Sequence, residues 1–153
     1  MFNVVLVNPE IPPNTGNVGR LCLATGSTLH LVQPLGFSID DKQVRRAGLD
    51  YWERVDLRLW DSFEQLEESV RSANPEARFF LISKKAAKTY WDTVFREGDY
   101  LVFGRETKGL SEALLARYPD HCLGIPMVAG STRSLNLATS VSAVLFEAVR
   151  QQS

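Results

Sequence analysis

Tyr100-Leu101-Val102-Phe103-Gly104-Arg105-Glu106-Thr107-Lys108-Gly109-Leu110 joins an apolar run to a glycine-bearing loop. A short, unbroken apolar run suits a strand covered on both faces, as in a parallel sheet. Loops beyond the carboxyl ends of such strands are where open α/β sheets hold their ligands. The same unit recurs on either side of this one. Phe2–Val7 is an apolar run stopped by Asn8-Pro9, and it leads to Asn14-Thr15-Gly16-Asn17-Val18-Gly19-Arg20. Leu123–Ile125 leads through Pro126-Met127 and Gly130-Ser131 to Arg133-Ser134-Leu135-Asn136.

Between these units the pattern continues to alternate. Pro12-Pro13-Asn14-Thr15 blocks a helix and then supplies cap chemistry, which predicts a helix over Gly16–Thr25. Leu29–Val32 and Phe79–Ser83 read as further strands. Asp61 with Glu64 resembles a capping box opening a helix that ends before Asn74-Pro75. Ser111 caps a short helix before Pro119, and a last helix runs from about Leu135 to Arg150. The predicted fold is α/β, a mostly parallel sheet flanked by helices, in one domain over residues 1–153. The last helix adds Ala138, Phe146 and Val149 to its apolar stripe. So wide an apolar surface in so small a domain predicts cover from a second subunit, a homodimer.

The composition narrows the function classes. The chain has 153 residues, 44% of them hydrophobic, with no apolar stretch long enough to span a bilayer. Its opening lacks a basic n-region and does not read as a signal peptide. Cys22 and Cys122 have no partner at metal-ligand spacing, so reduced thiols, a cytoplasmic location and no metal are expected. His30 and His121 lie in apolar runs and read as satisfied core histidines. The net charge of −1 argues weakly against nucleic acid. However, Lys42, Arg45 and Arg46 cluster, as do Lys84, Lys85 and Lys88. Taken one at a time, such clusters read as solvated faces.

No nucleophile elbow or dinucleotide fingerprint is present, and Gly104–Gly109 lacks the Lys-Ser/Thr pair of a phosphate loop. Spacing alone therefore stops at a ligand-binding α/β domain.

The three loops together resemble the three motifs of the SPOUT superfamily of RNA methyltransferases. Asn14–Arg20 is similar to the first, Gly104–Leu110 to the second, and Ile125-Pro126-Met127 with Ser134-Leu135-Asn136-Leu137-Ala138 to the third. Pro9–Asn14, Pro34-Leu35-Gly36-Phe37 and Asp40–Trp52 resemble the branch that methylates the ribose at the tRNA wobble position. Phe146 stands where that branch often carries a tyrosine, and the Ala129–Thr132 loop is a residue longer than usual.

The resemblance implies a C-terminal trefoil knot, which no sequence pattern displays, and S-adenosylmethionine as methyl donor. By carry-over, Ile82, Gly104 and Ile125 bind the adenosine end, aided by Gly109 and Met127. Ser134, Leu135 and Asn136 line the other side. Glu106 belongs to the donor loop, as a loop brace more than as a base. Asn14, Lys42, Arg45 and Arg46 are the candidates for binding the anticodon stem-loop of tRNA, with Tyr51 and Trp52 read as core. Arg20 is the catalytic candidate, reaching a site shared with the partner subunit. A guanidinium is a poor base. An Arg20 that stays cationic, orients a phosphate and lowers the 2′-hydroxyl pKa is less costly than one that deprotonates. Two alternatives remain open: a same-fold methyltransferase acting on another tRNA or rRNA position, and a non-catalytic RNA-binding protein that keeps the fold.

Overall fold

The computed structural model describes residues 1–132 and 134–153, with residues 45 and 47–50 described by backbone alone. Its centre is a parallel sheet of six strands in the order β3-β2-β1-β5-β4-β6. These are β1 (Asn3–Val7), β2 (Thr28–Val32), β3 (Leu57–Trp60), β4 (Phe79–Ile82), β5 (Tyr100–Phe103) and β6 (Cys122–Leu123). Side chains alternate across the sheet. Val4, Leu6, Leu101 and Phe103 therefore face one core, shared with α1 (Pro12–Thr25) and α5 (Leu137–Gln151). Val5, Val102, Phe79 and Leu81 face the other, under α3 (Phe63–Ala73) and α4 (Glu112–Ala116).

Several boundaries differ from the sequence expectation, each for a local reason. α1 starts at Pro12 because proline fits a helix's first turn, where its missing N–H has no intrahelical partner to lose. The cap of α3 is Ser62 rather than Asp61: Ser62 Oγ accepts from Gln65 N, and Gln65 Oε1 accepts from Asp61 N. The stretch between β2 and α3, to which the sequence pattern assigns no element, holds α2 (Lys42–Gly48), a 3₁₀ turn (Leu49–Arg54) and the edge strand β3. Asn136 caps α5 by accepting from Ala138 N at 2.9 Å and Thr139 N at 3.3 Å, two residues later than expected.

The C-terminal crossing sets the topology around the site. β6 lies outside β4, and Ser83 N donates to Leu123 O at 2.9 Å. On its other side, Gly124 N donates to Lys88 O at 2.8 Å and Gly124 O accepts from Tyr90 N at 3.2 Å. Gly124 thus packs closely against the loop formed by residues 83–89. A Cβ there would stand 3.1 Å from Ala86 O, 3.5 Å from Ser83 O and 3.7 Å from Lys88 O. Beyond Gly124 the chain leads to α5, which packs against α1. This packing of the C-terminal segment against the 83–89 loop is where the C-terminal trefoil knot expected from the resemblance would be threaded.

Candidate active site

Beyond the carboxyl ends of β4, β5 and β6, three loops enclose a cavity of about 340 Å³, within the range of small-molecule sites. Ile82, Gly104, Glu106, Gly109, Ile125, Met127, Ser134, Leu135 and Asn136 all line it, together with Asn14. A Cβ at Gly104 would run into the Gly109–Leu110 backbone, so only glycine lets the Gly104–Leu110 loop close on itself. Arg105 N donates to Gly109 O at 3.3 Å, and Gly109 N returns a bond to Arg105 O at 2.8 Å.

A row of polar side chains ties the three loops together. Glu106 Oε1 accepts from Glu10 N at 2.9 Å, and Oε2 accepts from Ile11 N at 2.8 Å and Asn14 Nδ2 at 3.3 Å. The positive end of α1 favours a carboxylate there, and Ile11 has no side-chain cap of its own to offer. Asn136 Nδ2 donates to Asn14 Oδ1 at 3.0 Å, which carries the row on to the start of α5. Both Glu106 oxygens are therefore engaged at the entry to α1, and the side chain braces the cavity wall instead of reaching into it. Asn14 is only 7% exposed, and both ends of its amide are occupied. It belongs to the same brace and not to the outer surface that carries Lys42 and Arg46. A return clasp runs from Thr107 N and Oγ1 to Glu10 Oε1, at 3.1 and 2.8 Å. These bonds, with Arg105 and Lys108 nearby, hold the Glu10 carboxyl below its ordinary pKa.

The rim of the cavity is cationic. Lys84, Lys85, Arg105 and Lys108 line it, with Lys85 paired to Glu112 at 3.0 Å. Sequence reasoning placed Lys84 and Lys85 on a solvated face. Their nearness to Gly104–Leu110 arises only when β4 and β5 pair.

The other sequence candidates lie outside the cavity. Lys42 and Arg46 are exposed on α2, and the Arg45 side chain lies outside the described residues. Arg20 is exposed on α1 and is not among the cavity-lining residues. Its guanidinium lies over the Tyr51 ring, 5.6 Å from the centroid, and Arg54 lies over the same ring at 5.2 Å. Trp52 is core at 8% exposure, but Tyr51 is 38% exposed and is not. Consecutive residues of the 3₁₀ turn point in different directions, so Trp52 fills the space against α1 while Tyr51 meets solvent.

The histidines are satisfied as expected. Trp60 Nε1 donates to His30 Nδ1 at 3.0 Å, which leaves Nε2–H for Asn3 Oδ1 at 2.9 Å. Burial, with Arg58 nearby, pushes the His30 pKa down to about 4. His121 stacks on Phe80 and pairs through Nδ1 with Phe79 O at 3.1 Å. Cys22 is buried, its thiol pushed up to about 12, and Cys122 is a second free thiol. Among the described residues no group of three His, Cys, Asp or Glu could hold a metal ion, and no helix is long and apolar enough to cross a membrane.

Fold and site together define a class: a parallel α/β protein whose ligand cavity is built by loops beyond the carboxyl ends of β4, β5 and β6. The model of the SpoU rRNA methylase family matches residues 1–146, and the chain belongs to that family. It is 50% identical over 155 residues to a tRNA (cytidine(34)-2′-O)-methyltransferase of Burkholderia pseudomallei, spanning 99% of this chain and 96% of the relative. A putative protein of the same name from Bacillus subtilis is 47% identical, over 99% and 94%. A solved structure concerned with the 2-OH methylation of C/U34 on tRNA superposes with a TM-score of 0.93 at 49% identity, covering 99% of this chain and 96% of the other. The SpoU methyltransferase AviRb from Streptomyces viridochromogenes, in complex with AdoMet, superposes with a TM-score of 0.86 at 28% identity, over 98% of this chain and 60% of the other.

Proposed function

We propose that this protein is an S-adenosylmethionine-dependent tRNA (cytidine/uridine-34) ribose 2′-O-methyltransferase. It acts on the wobble nucleotide of the anticodon loop, as a single-domain homodimer in the cytoplasm. The observation that carries the proposal is the convergence of three sequence-distant loops on one cavity, in a chain similar over nearly its whole length to tRNA (cytidine(34)-2′-O)-methyltransferases. The cavity suits the donor. Apolar walls from Ile82, Phe103, Ile125 and Leu135 match a flat heteroaromatic ring, while Ser134, Ser140 and loop backbone offer polar contacts.

When bound, S-adenosylmethionine supplies a methyl carbon activated by a positive sulfur, which the ribose oxygen can attack in line. The protein's part is to position the reactants and manage one proton. Gly104–Leu110, with Ile125, Met127 and Ser134–Asn136 opposite, would hold the donor between them. The Glu106–Asn14–Asn136 row keeps those loops and the start of α1 in register. Arg20 belongs to the acceptor side: cationic, it orients a phosphate and stabilises the developing alkoxide, whose proton leaves to solvent water. Because Arg20 lies outside its own subunit's cavity lining, the reading places it at the partner's cavity. The exposed Phe146 on α5 supports the paired state.

Purified protein with labelled donor and unfractionated tRNA tests the proposal. Label is expected in nuclease-resistant dinucleotides from position 34, because a 2′-O-methyl group blocks cleavage at its own linkage. Label on a base, on ribosomal RNA alone, or on a ribose outside the anticodon loop overturns the substrate assignment.

A further inference from the structure

Two guanidiniums share one exposed aromatic ring: Arg20 from α1 and Arg54 from the 3₁₀ turn, at 5.6 and 5.2 Å from the Tyr51 centroid. Close packing brings them there. Gly19, the residue before Arg20, lies against Trp52, the residue after Tyr51; a Cβ at Gly19 would fall 2.7 Å from the Trp52 ring. That missing side chain lets the 3₁₀ turn settle on α1, and the buried Trp52 anchors the contact. Tyr51 is thereby set beside Arg20 on the solvent side. The ring's negative face attracts each cation, but two like charges on one ring repel each other. A surface that gathers both is completed by an anion.

The geometry points to Tyr51 as a positioning residue that joins Arg20 and Arg54 into one two-cation site for a backbone phosphate of the acceptor strand. This rests on the methyltransferase reading above and adds two residues to it. Tyr51 fixes the direction of the Arg20 guanidinium, which would otherwise sample the many rotamers of an exposed arginine. Arg54 supplies the second charge, binding RNA without touching the reacting atoms. Arginine beside an exposed aromatic is also the residue pairing that suits unpaired nucleic acid.

The test uses the intact protein with Tyr51→Phe, Tyr51→Leu and Arg54→Gln. In Tyr51→Leu, kcat is expected to fall about ten-fold, the size of a partly desolvated cation–π contact, while donor affinity and Tm stay near wild type. Tyr51→Phe keeps the ring and should restore the rate. An upfield ring-current shift of the Arg20 Nε–H proton is expected in the free protein, kept in Tyr51→Phe and lost in Tyr51→Leu. Arg54→Gln should raise KM for tRNA and flatten its salt dependence by about one unit of slope. Three results overturn the inference: wild-type kcat in Tyr51→Leu, a Tyr51→Phe variant as slow as Tyr51→Leu, or an unchanged salt slope in Arg54→Gln. If instead the wild-type protein transfers no methyl group to tRNA, the functional reading falls and this inference falls with it.

Discussion

Glu106→Gln removes one charge and little volume, so it probes the brace without opening a hole. The carboxylate receives Glu10 N at 2.9 Å, Ile11 N at 2.8 Å and Asn14 Nδ2 at 3.3 Å. Glutamine keeps one oxygen for one backbone N–H but turns an NH₂ toward the other, donor against donor. Hydrogen bonds to charged groups contribute about 1.5–3 kcal/mol each. One short bond is lost and the other loses its charge assistance, while the solvent-exposed edge of the site discounts both. The Glu10–Thr107 clasp survives and prevents complete release of the loop. A net loss of about 2 kcal/mol is expected, which for a domain of this size lowers Tm by about 4–8 °C. Donor affinity should fall as well, about three- to ten-fold, because the same bonds close the cavity wall. Thermal unfolding followed by circular dichroism and titration calorimetry with the donor measure the two effects. The double variant with Asn14→Ala should be less harmful than the sum of the singles, since both act through one network. A Glu106→Gln protein within about 1 °C of wild type, or strict additivity with Asn14→Ala, would refute the bracing role.

Arg20→Ala should lower methyl transfer by about 10²–10⁴ while leaving donor binding intact, because Arg20 does not line the cavity; equal losses in single-turnover rate and donor affinity would assign it to the donor side instead. Lys42→Ala and Arg46→Ala should each weaken tRNA binding and flatten its salt dependence by about one unit of slope or less, with donor affinity unchanged in calorimetry. Stability should fall in acid through His30. Its folded pKa is depressed to about 4 from 6.5, so the unfolded chain takes up the proton first, and stability drops as pH falls through that window before levelling off below it. At 1.36 kcal/mol per unit the loss is at most about 3 kcal/mol, and urea unfolding of wild type against His30→Gln between pH 7 and 4 isolates it; parallel curves would remove His30 as the source. Phe146→Glu, at a position 45% exposed on α5, should give monomers in sedimentation velocity and slow methyl transfer; a dimeric, fully active variant would place the subunit contact elsewhere.

What could be read from the sequence followed how locally each feature is specified. β1, β2, β4 and β5 stand out because strands covered on both faces are continuous apolar runs. β3 does not: Leu57-Arg58-Leu59-Trp60 is a half-exposed edge strand with a charge in it. α2 is also hidden, since only Val44 of its described side chains is buried and no apolar stripe forms over so few residues. In the site, the three glycine-bearing loops were legible as loops, and their resemblance to known motifs placed them together. The brace among Glu106, Asn14 and Asn136 joins residues far apart in sequence, and no spacing rule reports such a contact. Tyr51 was read as core with Trp52, yet only Trp52 is buried, because Gly19 leaves room for a single ring against α1.

In the knotted form of this fold, the loop of residues 83–89 packed against Gly124 is the ring of the knot, and it makes the two ends of the chain unequal. In folding, either the tail passes through the ring or the ring closes over the tail. Both routes need β4 and β5 in place before α5 can dock, an order that matches emergence from the ribosome, N-terminus first. Bulk joined upstream of β1 takes no part in that passage. Bulk joined downstream of α5 must travel through the ring only on the first route, so a large C-terminal fusion distinguishes the two: it obstructs the first and leaves the second open. Mechanical load is handled just as unequally. A machine drawing the chain in from beyond α5 pulls residue 124 against its encircling loop and tightens it, so the fold resists extraction from that end through topology as well as through its hydrogen bonds.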